Sequence, residues 1–229
     1  MSRFSAIDSF WTRLAAARSP VLLLDYDGTL APFCVERDQA IPYPGVRDLL
    51  EQIRAATGTR LVIVSGRAID DLLPLLAIDP PPEIWGCHGW ERLGPGGERP
   101  PVEIEPQARL GLNLAAQWLT TEGLTSRTEV KPASLALHWR GLDQAEQQSL
   151  GRKVAEGWRS LAAEHGLELH PFDGGVELRC PGRDKGSVVS QVLDEAGLDA
   201  VVAFLGDDLT DEDGFKAIAE RGLGVLVRL

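Results

Sequence analysis

Cysteine is scarce in this chain of 229 residues: Cys34, Cys87 and Cys180 are widely spaced and odd in number. Such a set excludes a disulfide framework and a zinc-ligand motif. Free thiols suit a reducing, cytoplasmic setting. Positive charge is short as well. Lys and Arg number 23 against 34 Asp and Glu, for a formal net charge of −11. That sign disfavours nucleic acid and anionic membranes as partners. An anionic substrate would need a local cluster of cations or a metal ion. No apolar run approaches the roughly 18 residues of a membrane helix. The opening stretch lacks the apolar centre of a signal peptide. Phe4, Ile7, Phe10, Trp11 and Leu14 instead mark one face of an amphipathic helix. Repeats are absent, and residues 80–82 and 94–97 are the only low-complexity scraps. What remains is ordinary for a globular protein, 44% hydrophobic and 25% charged, with length for one large domain or two modest ones.

Three short apolar runs organise the chain: Val21-Leu22-Leu23-Leu24, Leu61-Val62-Ile63-Val64 and Val201-Val202-Ala203-Phe204-Leu205. Each is continuous rather than alternating, as in strands buried on both faces of a parallel sheet. Helical patterns over 45–57, 68–76 and 185–196 separate or follow them, so the expectation is an α/β fold with a doubly wound parallel sheet. The middle reads differently. Residues 95–106 form a Gly/Pro-rich connector. A helix over 107–122, strands over 127–131 and 134–140, a helix over 143–165, and strands over 167–172 and 176–180 follow. This αββαββ pattern reads as an α+β domain inserted into the core. The expected division is 1–104 for the first part of the core, 105–180 for the insert and 181–229 for the rest.

The ends of the apolar runs carry the chemistry, because ligands of open α/β sheets bind beyond the carboxyl ends of the strands. The first run stops at Asp25-Tyr26-Asp27-Gly28-Thr29. An Asp-Gly turn would explain this without chemistry. Two carboxylates two residues apart also provide a nucleophile for phosphorus and an acid/base for the leaving oxygen. Ser65-Gly66-Arg67 ends the second run. Ser65 is either a helix N-cap or part of an anion site at a helix start. Lys185 opens a helix, where a cation opposes the helix dipole; it can screen a phosphate dianion from Asp25. Residues 206–213, GDDLTDED, follow the third run. Thr210 or Asp211 can cap the next helix, whereas Asp207 and Asp208 lie too early for capping and suit magnesium.

In this order the motifs DYDGT (25–29), SGR (65–67), DKG (184–186) and GDDLTDED (206–213) resemble those of the haloacid dehalogenase (HAD) superfamily of phosphotransferases. CHGWE (87–91), EVKPASLALHWR (129–140) and VELRCPGRDKG (176–186) narrow the resemblance to the trehalose-6-phosphate phosphatase family. The likeness runs from about residue 21 to the end. It implies a HAD-like Rossmannoid core with an αββαββ cap. By that likeness Asp25 is the nucleophile, Asp27 the acid/base, and Ser65 and Lys185 bind the phosphoryl group. Mg2+ is held by Asp25, the Asp27 carbonyl and Asp207, with Asp208 adjacent. Thr29, Gly66 and Arg67 join the phosphate side. Glu129, Lys131, Arg140 and Glu177 correspond to positions that grip the disaccharide, and His88 and Glu91 are raised by the family match alone. The implied reaction is hydrolysis of trehalose 6-phosphate to trehalose and phosphate through an aspartyl phosphate.

Two departures accompany the resemblance. The family carries a lysine a few residues before the position of Glu177, where this chain has Asp173-Gly174-Gly175. The final residues 225–229 read as a last core strand, where the family continues through another strand and a helix. Other glycosyl phosphates (glucosylglycerol, sucrose or mannosylglycerate phosphate) are alternative substrates. A non-catalytic phosphosugar-binding module and a phosphomutase are alternatives of another class. The expected partner is a small sugar phosphate, with no nucleic acid and no membrane, and a monomer or weak dimer.

Overall fold

Alternation between two apolar clusters sets the architecture of this computed structural model, which describes residues 3–34, 36–172 and 174–228, of 3–6, 56 and 57 the backbone alone. The chain begins with α1 (Arg3–Ala16), β1 (Val21–Asp25), α2 (Val46–Thr57), β2 (Arg60–Val64), α3 (Ile69–Leu76), β3 (Glu83–Gly86) and β4 (Glu91–Leu93). A second unit follows with α4 (Pro106–Thr121), β5 (Thr128–Lys131), β6 (Ser134–His138), α5 (Gln144–His165), β7 (Glu168–Phe172) and β8 (Gly175–Arg179). The chain then returns through α6 (Lys185–Ala196), β9 (Val202–Gly206), α7 (Glu212–Ile218) and β10 (Leu223–Leu226). The two compact units are 1–100 with 183–229, and 101–182.

In the first unit the strands lie in the order β10-β9-β1-β2-β3-β4. All neighbours are parallel except β4, which runs antiparallel to β3. Leu24, Leu61 and Ile63 join Leu50, Ile69 and Leu72 of α2 and α3 on one face. Leu23, Val62 and Val64 join Val188, Val192 and Ile218 of α6 and α7 on the other. Both faces are covered, and that is why the strand sequences are continuously apolar. The doubly wound reading therefore holds.

Three differences have physical reasons. β3 and β4 were not expected. β3 is short and starts on Glu83, a buried carboxylate held by Arg60 (2.8 and 3.0 Å), by Arg92 (2.8 and 3.1 Å) and by Trp85 Nε1 at 3.0 Å. A charged residue there masks the strand pattern. The last strand spans 223–226 rather than 225–229 and is the sheet's edge, so Leu226 stays 48% exposed; Leu229 lies outside the described residues. On α1, Phe10 is buried while Ile7 and Trp11 remain exposed, so its apolar face is only partly covered. No described helix is long and apolar enough to cross a membrane.

The second unit is an antiparallel sheet, β5-β6-β8-β7. Its α4 begins with a proline at the first turn, where no N–H is required. Asp143 starts α5 through a reciprocal capping box with Glu146. Leu135, Leu137 and Leu178 of the sheet are buried, as are Leu119 of α4 and Trp158 of α5. Alternation sends Glu129, Lys131, Ser134, His138, Glu177 and Arg179 to the other face. Asp173 lies outside the described residues.

Candidate active site

Parallel strands deliver polar groups to their carboxyl edge, and β1 and β9 do so here. Asp25 closes β1 and is only 3% exposed. Its Oδ1 accepts a 2.6 Å bond from Lys185 Nζ, while its buried Oδ2 has no hydrogen-bond partner among the described residues. Lys185, the first residue of α6, also donates to Asp211 Oδ1 at 2.7 Å. The helix start that holds it is fixed by Asp184, whose carboxylate accepts from Ser187 N at 2.6 Å. Asp211 Oδ2 in turn accepts from the N–H groups of Asp207 (3.0 Å) and Asp208 (3.2 Å). Oxygens of Asp25, Asp207 and Asp211 lie within 4.8 Å of one another.

Gly28 makes that approach possible. Its φ is +88°, and an added Cβ would fall 2.1 Å from Asp207 Oδ2. No side chain fits there. Thr29 Oγ1 donates to Asp207 Oδ1 at 3.4 Å.

Three clustered carboxyl groups against one ammonium ionise together only at a cost in a low-dielectric site. Burial raises the Asp25 carboxyl to about 8, with Lys185 pulling downward and Asp211 adding to the rise. Burial also raises Asp207 and Asp211. Burial works against the Lys185 charge, but Asp25 and Asp211 outweigh it and hold the ammonium above the ordinary lysine range. The convergent oxygens of Asp25, Asp207 and Asp211, three acid groups to one ammonium, fit a hard divalent cation such as Mg2+.

The remaining predicted residues have definite places. The Asp27 carboxylate is gripped at both oxygens by Arg67, from Nε and Nη2 at 2.7 Å each. Arg67 is buried and also donates to the Arg37 carbonyl at 2.7 Å. It is engaged with Asp27 rather than turned outward as an anion ligand. Ser65 Oγ accepts from Arg67 N at 3.1 Å. Ser65 is not a helix N-cap, because Ala68 holds that position in α3. Glu91 serves that helix instead, its Oε2 accepting from Ile69 N at 2.8 Å. His88 packs over Gly66, where a Cβ would come within 2.7 Å of its ring. Cys87 and His88 both have left-handed backbones, at φ 49° and 57°.

Asp208 is exposed, and its Oδ1 accepts from Thr210 N (2.8 Å) and Oγ1 (2.7 Å). It is the cap of the following turn and stands apart from the convergent trio. Asp211 holds the N-cap position of α7, as the sequence suggested, but its side chain makes no cap bond to that helix and is fully buried within the trio. Its spacing of four after Asp207 was the only available signal.

In the second unit Glu129, Lys131 and Glu177 come together. Glu177 is 2% exposed and accepts from Lys131 Nζ (2.9 Å), Ser134 Oγ (2.7 Å) and Arg179 Nε (2.5 Å). Glu129 lies 3.7 Å from Lys131 Nζ and 2.9 Å from His138 Nε2. Arg140 lies over Gly174.

The parallel sheet, with its acidic cluster at the end of β1 opposed by a lysine that opens α6, has the fold of haloacid dehalogenase-like hydrolases. A haloacid dehalogenase-like hydrolase from B. subtilis shares the fold at TM-score 0.60 and 15% identity, covering 89% of this chain and 88% of that one. The C-terminal domain of C. albicans trehalose-6-phosphate phosphatase superimposes at TM-score 0.77 with 21% identity, covering 93% and 78%. The trehalose-phosphatase family profile matches residues 23–228; the chain belongs to the trehalose-phosphatase family. It is 30% identical over 223 residues to the bifunctional trehalose-6-phosphate synthase/phosphatase of Thermoproteus tenax, covering 97% of this chain and 30% of that protein. It is also 30% identical over 226 residues to the trehalose-phosphate phosphatase of Mycobacterium ulcerans, covering 91% and 54%. The chain thus spans about half or less of the length of these curated relatives.

Proposed function

We propose that the chain is a magnesium-dependent phosphatase that hydrolyses trehalose 6-phosphate to trehalose and phosphate. The observation that carries this reading is Asp25: buried, paired to Lys185 through one oxygen, with the other oxygen unpartnered among the described residues. Asp25 Oδ2 attacks phosphorus and the phosphorus–oxygen bond to the sugar breaks. Asp27, protonated on one oxygen once that oxygen is released from Arg67, gives its proton to the departing sugar oxygen. Asp27 then takes a proton from water, whose oxygen attacks the phosphorus of the aspartyl phosphate and frees Asp25. Lys185, Ser65, Thr29 and the Gly66 N–H hold the phosphoryl oxygens, and Arg67 keeps the Asp27 carboxylate oriented. Asp25, Asp207, Asp211 and the Asp27 carbonyl would hold Mg2+, which when bound supplies charge neutralisation and polarises the phosphoryl group. Glu129, Lys131, Arg140, Glu177 and His88 are the candidate sugar contacts. The shared polar face of Glu129, Lys131 and Glu177 supports the first part of that assignment. A cytoplasmic monomer or weak dimer completes the reading.

Phosphate release with magnesium, compared across trehalose 6-phosphate, sucrose 6-phosphate, glucosylglycerol phosphate, glucose 6-phosphate and p-nitrophenyl phosphate, tests the proposal. The expected result is a strong preference for trehalose 6-phosphate, abolished in Asp25→Asn by roughly 10⁴-fold or more. Turnover without that preference would move the substrate to another glycosyl phosphate. No turnover, with trehalose 6-phosphate bound equally by wild type and Asp25→Asn, would make the chain a binding module.

A further inference from the structure

Phe33 is an apolar side chain at an anionic site. It is 60% exposed, yet its ring rests against Gly28. A methyl group added at Gly28 would lie 2.6 Å from Phe33 Cε2 and 2.1 Å from Asp207 Oδ2. The ring therefore borders the carboxylate cluster. The segment that carries it is tethered on both sides. Ala31 and Ala40 flank it and are fully buried. The buried Tyr26 hydroxyl donates to the Ala40 carbonyl at 2.7 Å, and Arg67 Nη1 donates to the Arg37 carbonyl at 2.7 Å.

An aromatic ring so held, and so exposed, contributes little to the core. Asp25, Asp207, Asp211 and Lys185 have uses for a phosphoryl group and none for an apolar ring. The carbon skeleton of the leaving group does have such a use. The proton donor to that leaving group is Asp27, the neighbour in sequence of the glycine on which the ring rests. A sugar carbon bonded to the departing oxygen must come beside Asp27, one residue from the glycine that Phe33 covers.

We propose that Phe33 is a specificity-determining residue whose ring meets the apolar C–H face of the sugar that carries the phosphate. The inference rests on the phosphatase reading above. Sugars present flat C–H patches between their hydroxyls, and covering one with an aromatic face removes apolar area of both partners from water.

Phe33→Ala and Phe33→Trp, made in the full chain, are compared on trehalose 6-phosphate and on acetyl phosphate, a phosphoryl donor without a sugar ring. In Phe33→Ala, kcat/KM for trehalose 6-phosphate should fall about tenfold, mostly through KM, while acetyl phosphate changes less than about threefold. Phe33→Trp should stay within about twofold of wild type on both. Equal losses on the two substrates, or no loss on trehalose 6-phosphate, would overturn the proposal. Should wild type release phosphate from neither, the phosphatase reading fails. Calorimetric binding of trehalose 6-phosphate then still tests the ring: a tenfold weaker Kd in Phe33→Ala supports it, and an unchanged Kd overturns it.

Discussion

A guanidinium that meets both oxygens of one carboxylate fixes its plane as well as its position, which an ammonium cannot do. Arg67 does this to Asp27 at 2.7 Å on each oxygen. Arg67→Lys keeps the charge and loses the fork. If Asp27 is the acid/base, kcat should fall about ten- to a hundredfold with KM nearly unchanged, read by steady-state phosphate release. A raised KM at constant kcat would instead make Arg67 a substrate ligand. At this scale the sequence was informative wherever a residue ended a strand: Asp25 and Asp207 stand where β1 and β9 stop. Asp211 was hidden because an acidic residue before a helix is what ordinary capping predicts. Only its burial separates it from Asp208, which does cap. Arg67 and Glu91 were hidden for a related reason. A motif names a position and leaves open whether the side chain faces ligand or protein.

Helices α4 and α5 meet at a glycine. A Cβ on Gly157 would fall 2.3 Å from Trp118 Cζ2, so the indole occupies the space a side chain would take. Alanine is better than glycine in a helix by about 1 kcal/mol. Overpacking a filled interface costs about 1–3 kcal/mol. Gly157→Ala should therefore destabilise the chain by about 1 kcal/mol, measured by urea unfolding. A stabilised variant would show that the indole moves aside at no cost. Among elements, β1, β2 and β9 were legible because a strand covered on both faces needs apolar residues at every position. The insert's helices and strands were legible because one covered face leaves a periodic signature. β3 was not, since the partners that make a buried Glu83 tolerable, Arg60 and Arg92, are remote in sequence. β10 was displaced because an edge strand has a neighbour on one side only, which weakens its pattern.

Over the whole molecule, two charge clusters sit at opposite edges of the main sheet. At the amino edge Glu195 accepts from Arg60 at 2.6 Å and from Arg92 at 2.9 Å, tying α6 to β2 and β4. Burial alone would raise Glu195, but the bonds from Arg92, Arg60 and Gln191 outweigh it and bring the carboxyl from 4.5 to about 2. A carboxyl lowered on folding stabilises the folded chain above its unfolded value, and the gain is lost as pH falls from 4.5 through about 2. Glu195→Gln should be less stable than wild type at neutral pH, with the gap in urea midpoint closing across that window. A gap independent of pH would mean that packing, not charge, is what the variant lost. At the carboxyl edge, magnesium at about a hundred times its Kd should raise the thermal midpoint by roughly 5–10 °C. Asp207→Ala should remove that rise; an equal rise from potassium at matched ionic strength would exclude a divalent site. The insertion of 101–182 between β4 and α6 also sets an order of synthesis. Asp25 and Lys185 are 160 residues apart, about 8–30 seconds of translation. For that time β1 emerges without β9 beside it, an open apolar edge of the kind that seeks other chains. The continuous insert can fold meanwhile; the interrupted core cannot. A ribosome that stalls between residues 182 and 185 would release a chain with a finished insert, a sticky half-sheet and an aspartate still waiting for its lysine.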